Sequence, residues 1–245
     1  MIASLPMYDR PGTAAANDAF WAAIRTRLGY GPERLTRAGD PWPIWQSPDL
    51  LLAQTCGLPF RARLHDRVTL VGTPDYGLPG CPPGYYRSVF VARADDPGPL
   101  AAFAGRRFAY NEALSQSGWA APQTHMEAAG LAFGPLLQSG AHRTSALAVA
   151  EGRADFAALD ALTWELIRDH DAFASRLRVI GVTPPSPGLP LITAAGRDPA
   201  PIFRAVAAAI ADLLPETRAC LHLAGLVAIP ASDYLAQLLP PAPAS

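Results

Sequence analysis

Short apolar runs alternate along the chain with stretches in which apolar residues recur at helical spacing, the pattern of strands and helices in turn. Ile2 to Met7 reads as a first strand. Ala14 to Leu28 reads as a helix, because Phe20, Ile24 and Leu28 share one face at i, i+4 and i+8. Asp49 to Ala53, Val68 to Val71 and Ser88 to Arg93 read as buried strands, separated by the breakers Cys56-Gly57-Leu58-Pro59 and Gly72-Thr73-Pro74 and by a Gly/Pro-rich loop from Gly77 to Gly84. A second series follows Asp95-Asp96-Pro97-Gly98-Pro99. Strands are expected at Arg107–Tyr110, Phe156–Leu159, Leu177–Val182 and Leu191–Ala194. Helices are expected at Thr144–Ala150, ending on Gly152, and at Leu162–Ile167, Ile202–Leu214 and Thr217–Leu226. The tail from Pro240 to Ser245 carries no such signal and is expected to fray.

This alternation predicts an α/β protein. Two segments, roughly Tyr86–Arg93 and Gly181–Ala194, read as crossings between lobes. They predict a discontinuous lobe one, 1–87 plus 190–245, and a lobe two, 88–189, with a ligand held in the cleft between them.

Composition narrows the function. Half of the 245 residues are hydrophobic and 17% are charged, enough for a sizeable core. The net charge is −1 and every basic residue is arginine; lysine is absent. A near-neutral chain without a basic run argues against nucleic acid as a partner. No run approaches the length of about 18 apolar residues that spans a membrane. Met1-Ile2-Ala3-Ser4-Leu5 has no charged n-region and leads straight into the first strand, so the sequence as it stands reads as a cytosolic chain or as one without its leader. The three cysteines, Cys56, Cys81 and Cys220, have no metal-site spacing. A Cys56–Cys81 bridge stays open, expected in an exported protein and not in a cytosolic one; Cys220, at an apolar helix position, is expected to be a buried thiol.

Three segments carry candidate chemistry. Asn111-Glu112-Ala113-Leu114-Ser115-Gln116-Ser117-Gly118 lies between an expected strand and an expected helix. Hydroxyls and first-turn amides at a helix start favour an anion, although Ser115 or Ser117 could equally serve as a plain N-cap. Ser139-Gly140-Ala141-His142 also precedes a helix, which brings the His142 ring within reach of the same point; a surface histidine is the alternative. Asp160 follows a strand and opens a helix, where it could bond a ligand amine or hydroxyl or merely cap the helix. No G-x-S-x-G, Walker loop, H-E-x-x-H or G-x-G-x-x-G occurs, so neither a catalytic constellation nor a cofactor or metal site is expected.

Ser-x-Ser-Gly, Gly-x-His about two dozen residues on, and then Gly-x-x-Asp before a strand together resemble the substrate-binding proteins of phosphate, phosphite and phosphonate ABC importers. The resemblance covers most of the chain. It implies the type II periplasmic binding protein fold, a hinge of two crossing segments, a small anionic solute, an ABC permease as partner, a monomer and no cofactor. By motif it carries over solute binding to Ser115, Gln116, Ser117, Gly118 and His142. By position at strand ends it extends to Tyr8, Gln54 and Tyr86, and Asp160 falls near the acidic group of aminoalkyl-phosphonate binders. Gln116 stands where those binders usually carry threonine, and the later hinge Thr183-Pro184-Pro185-Ser186-Pro187-Gly188 lacks their acidic residue. The family is usually periplasmic. Two rival readings remain: an enzyme on the same fold acting on a small carboxylate, as in menaquinone synthesis, and a ligand-sensing module.

Overall fold

The computed structural model describes residues 1–244. In chain order the strands among them are β1 (Ile2–Ser4), β2 (Leu50–Gln54), β3 (Val68–Asp75), β4 (Tyr85–Tyr86), β5 (Ser88–Arg93), β6 (Phe108–Tyr110), β7 (Leu136–Gln138), β8 (Phe156–Asp160), β9 (Leu177–Val182), β10 (Ser186–Pro187), β11 (Leu191–Ala194) and β12 (Gly225–Val227). The fold is mixed α/β and divides into two compact units. One comprises Met1–Tyr85 and Pro187–Ala236; the other comprises Tyr86–Ser186 and the chain from Gln237 on.

The first unit holds a five-stranded sheet in the order β1-β2-β11-β3-β12. β1 and β2 are parallel, and β11 runs antiparallel to both β2 and β3, so β1, β2 and β3 all point the same way. Every residue of β2 is buried, as expected of a strand covered on both faces. One cluster packs Phe20, Trp21 and Ile24 of the helix Ala14–Leu28 with Ile202, Val206 and Ile210 of the helix Ala200–Asp212. A second joins Trp45, Phe60, Leu64, Ile192 and Tyr234.

The second unit holds a sheet in the order β7-β6-β8-β5-β9. β6, β7 and β8 are mutually parallel; β5 runs against β8, and β9 against β5. Its core gathers Phe90, Phe103, Phe108, Trp119, Met126 and Phe156, with the Phe108 and Phe133 rings stacked at 3.9 Å and 6°.

Several elements differ from the expectations. The helix expected over 217–226 stops at Cys220: His222 turns left-handed at φ 52°, the Ala224 amide bonds the Asp75 carbonyl, and Gly225–Val227 joins the sheet beside β3. Pro41–Trp45 forms an unforeseen short helix, since proline is tolerated in a first turn and Asp40 caps the Trp42 amide. The tail belongs with the second unit rather than the first, and it is tied at Pro241, whose carbonyl accepts the Trp119 indole N–H at 2.8 Å; Ser245 lies outside the described residues. Cys56 and Cys81 form no disulfide. Cys220, expected to be buried, is partly exposed, with its Sγ 3.6 Å from the Gly12 carbonyl.

Candidate functional site

Strand direction organises the second unit's polar residues. Because β6, β7 and β8 are parallel, the segments leaving their carboxyl ends begin on one edge of the sheet. Asn111 follows β6, Ser139 follows β7, and Asp160 closes β8. Main-chain bonds continue the pairing past the strands, from Ser139 N–H to the Tyr110 carbonyl at 2.8 Å and from Gly140 N–H to the Asn111 carbonyl at 2.9 Å. Carboxyl edges of this kind are where open α/β folds place ligands.

The Ser115–Gly118 segment starts a helix here. Ser115 is its N-cap, with Oγ accepting the Gly118 amide at 3.0 Å. The first turn is π-helical over Gln116–Ala120: the Ser115 carbonyl accepts both the Trp119 and Ala120 amides, and the helix continues through Ala121–Ala128. Such widened turns recur at functional sites. The amides of a helix's first turn lack the i−4 carbonyl partners of its interior, and the dipole adds partial positive charge there. Ser115, Gln116 and Ser117 are all buried.

His142, the first residue of the helix His142–Ala150, meets this turn. Ser117 Oγ and His142 Nε2 lie 2.9 Å apart, across 25 positions of sequence. The ring's Nδ1 is buried. Burial pushes the imidazole down to about 4, a shift opposed by the Ala158 main chain, so His142 is neutral at ordinary pH. Gln116 Nε2 donates to Ser186 Oγ at 3.3 Å. Asp160 is buried and caps the helix Ala161–His170 through its Oδ1, which accepts the Thr163 amide at 2.9 Å. Tyr86 is buried at the end of β4.

Tyr8 and Gln54 belong to the first unit, where they follow the same edge rule. The parallel strands β1, β2 and β3 lead to Tyr8, Gln54 and Tyr76 in turn. Gln54 Nε2 donates to the Tyr76 hydroxyl at 3.0 Å and to the Leu189 carbonyl at 3.3 Å, and the Tyr8 and Tyr76 rings meet edge-on at 5.1 Å. They line a depression floored by Leu5, Phe20 and Leu191. Gln54 thus spends one donor on the Tyr76 hydroxyl and the other on the Leu189 carbonyl. The sequence reading overlooks Tyr76, although the strand-end rule that selects Gln54 applies equally to it. It also overlooks Ser186, which carries no pattern of its own within a proline-rich joint, and the buried side chain of Asn111.

A family model described as ABC transporter, phosphonate, periplasmic substrate-binding protein matches residues 52–234. No curated protein matches the sequence. Among solved structures, PhnD1 from Prochlorococcus marinus in complex with methylphosphonate shares 16% identity at a TM-score of 0.75, with 95% of this chain and 94% of that chain covered. A binding protein component of an ABC phosphonate transporter from Pseudomonas aeruginosa shares 20% identity at a TM-score of 0.68, over 96% of this chain and 83% of that one. The periplasmic VFT2 domain of Bordetella pertussis BvgS shares 15% identity at a TM-score of 0.60, over 90% and 91%. At these identities the three structures share this chain's fold.

Proposed function

Because the chain belongs to the family of periplasmic substrate-binding proteins of phosphonate ABC transporters, we propose that it holds a phosphonate-like oxyanion at the Ser115–Gly118 helix start for delivery to its importer. Solute binding for an importer is the family's role, and it displaces the enzyme reading; the ligand class and the residues are our assignment. One observation carries it: the 2.9 Å contact of Ser117 with His142 joins two separate segments into a single polar cluster at a helix start.

A multiply charged oxyanion leaving water needs several donors at once. The first-turn amides and the two serine hydroxyls supply them in a chain that has no lysine, the His142 Nε2–H donating to Ser117 Oγ and so leaving that hydroxyl's proton for the solute. Tyr8, Gln54, Tyr86 and Asp160 are assigned as further contacts, Asp160 towards an amine or hydroxyl of the solute. The protein works as a monomer in this reading, which light scattering on the eluted protein checks.

Calorimetric titration with methylphosphonate, phosphite and phosphate tests the assignment. Each charge-assisted hydrogen bond contributes about 1.5–3 kcal/mol, so Ser117→Ala and His142→Ala should each weaken the preferred anion roughly tenfold or more. Wild-type affinity in Ser115→Ala, Ser117→Ala and His142→Ala alike would remove the site from this helix start.

A further inference from the structure

Ser88 opens β5 at the same edge of the second unit's sheet. Its main chain is fully bonded: the amide donates to Thr183 Oγ1 at 3.0 Å, and the carbonyl accepts the Thr183 amide at 3.0 Å. Its hydroxyl is not. Ser88 is 1% exposed, and among the described residues Oγ has no hydrogen-bond partner. A buried hydroxyl without a partner lowers stability. Alanine or valine would fill a buried strand position without that penalty, so the hydroxyl at Ser88 calls for a reason outside the fold.

The strand register supplies the direction. Ser88 stands opposite Asp160, Phe90 opposite Ala158, and Ala92 opposite Phe156. Side chains two apart on a strand share a face, and directly opposed residues share it too. Phe90, Ala92, Ala158 and Phe156 pack with Trp119 and Met126, which lie on the π-helical turn and the helix begun at Ser115. Ser88 therefore looks to the side of the sheet that this helix covers, at the edge where Asp160 caps the next helix.

We infer that Ser88 is a further solute contact, its hydroxyl donating to an oxygen of the bound oxyanion. The inference rests on the reading of the Ser115–Gly118 helix start as the anion site. The solute supplies the acceptor that the folded chain withholds, and the unsatisfied hydroxyl is the strain that binding relieves. A residue of this kind differs from the cap Ser115, whose loss weakens fold and site together.

The test is Ser88→Ala in the full chain, titrated calorimetrically with methylphosphonate and phosphite and unfolded in urea without solute. Affinity should fall at least about tenfold, while the urea midpoint stays level or rises. A variant that unfolds, or whose midpoint drops, marks the hydroxyl as structural and overturns the inference. So does unchanged affinity in Ser88→Ala beside weakened binding in Ser117→Ala, which leaves the helix-start site standing. A wild-type protein that binds neither probe nor phosphate overturns both.

Discussion

Gly118 shows what a single missing carbon does at the helix start. Its φ is not in the left-handed region, so the demand is for space. A Cβ there would lie 1.8 Å from Asn111 Oδ1 and 3.1 Å from Ser115 Oγ. Gly118→Ala should therefore push Asn111 aside and cost about 1–3 kcal/mol, as overpacking does. Asn111→Ala in the same chain should recover much of that loss, which a double-mutant cycle in urea reads directly; simple additivity would mean that the two do not press on each other. His142 makes a second demand at this scale. Its pKa is about 4 in the folded chain, against about 6.5 unfolded. Between those values the unfolded chain binds more protons, so stability falls as pH falls through that window and is regained above it. The full difference is on the order of 3 kcal/mol, and His142→Gln should flatten that part of the stability profile. Parallel wild-type and variant curves from pH 7 to 4 would refute the buried neutral imidazole. The sequence points to both residues, since a glycine and a histidine before helices are visible signals; their packing is not visible, because it depends on which buried neighbours the fold delivers.

Elements were legible where an apolar run is bounded by turn residues on both sides. β5, β9 and β11 and the helix Ala14–Leu28 have the limits that pattern predicts. The stretch 217–226 misled because its alanines and leucines favour a helix, while pairing with β3 decides the outcome at Gly225–Val227. Three-residue strands such as β7 lack the length to show a period. The tail is the informative failure. Nothing in Pro-Ala-Pro sequence announces that the Pro241 carbonyl will receive the Trp119 indole, and Trp119 sits among Tyr110 and Phe133 directly behind the Ser-x-Ser turn. Ending the chain after Gln237 should cost about 1 kcal/mol through the lost acceptor, measured as a lower urea midpoint. Trp119→Phe should make the truncation nearly neutral; an equal loss in both backgrounds would mean that the tail acts elsewhere.

At the scale of the molecule, the chain leaves one unit and returns to it, and the proline- and glycine-rich joints at 77–84 and 184–190 flank the two passages. The consequence for folding follows from strand order. β11 comes from the returning segment, yet it lies between β2 and β3 in the first unit's sheet. A fragment of residues 1–85 therefore lacks a central strand. It would leave two inner edges unpaired and the Ile192 core open. The second unit has no such dependence: β5 to β9 and the whole Phe90–Phe156 core come from Tyr86–Ser186. A fragment of residues 86–186 should fold and unfold cooperatively in urea, somewhat below the full chain because it lacks the Trp119–Pro241 bond. Residues 1–85 should show no near-ultraviolet dichroism and no cooperative transition until residues 187–236 are supplied. Cooperative folding of 1–85 alone would mean that β2 and β3 close a core without β11, contrary to a sheet in which β11 is the sole link between them.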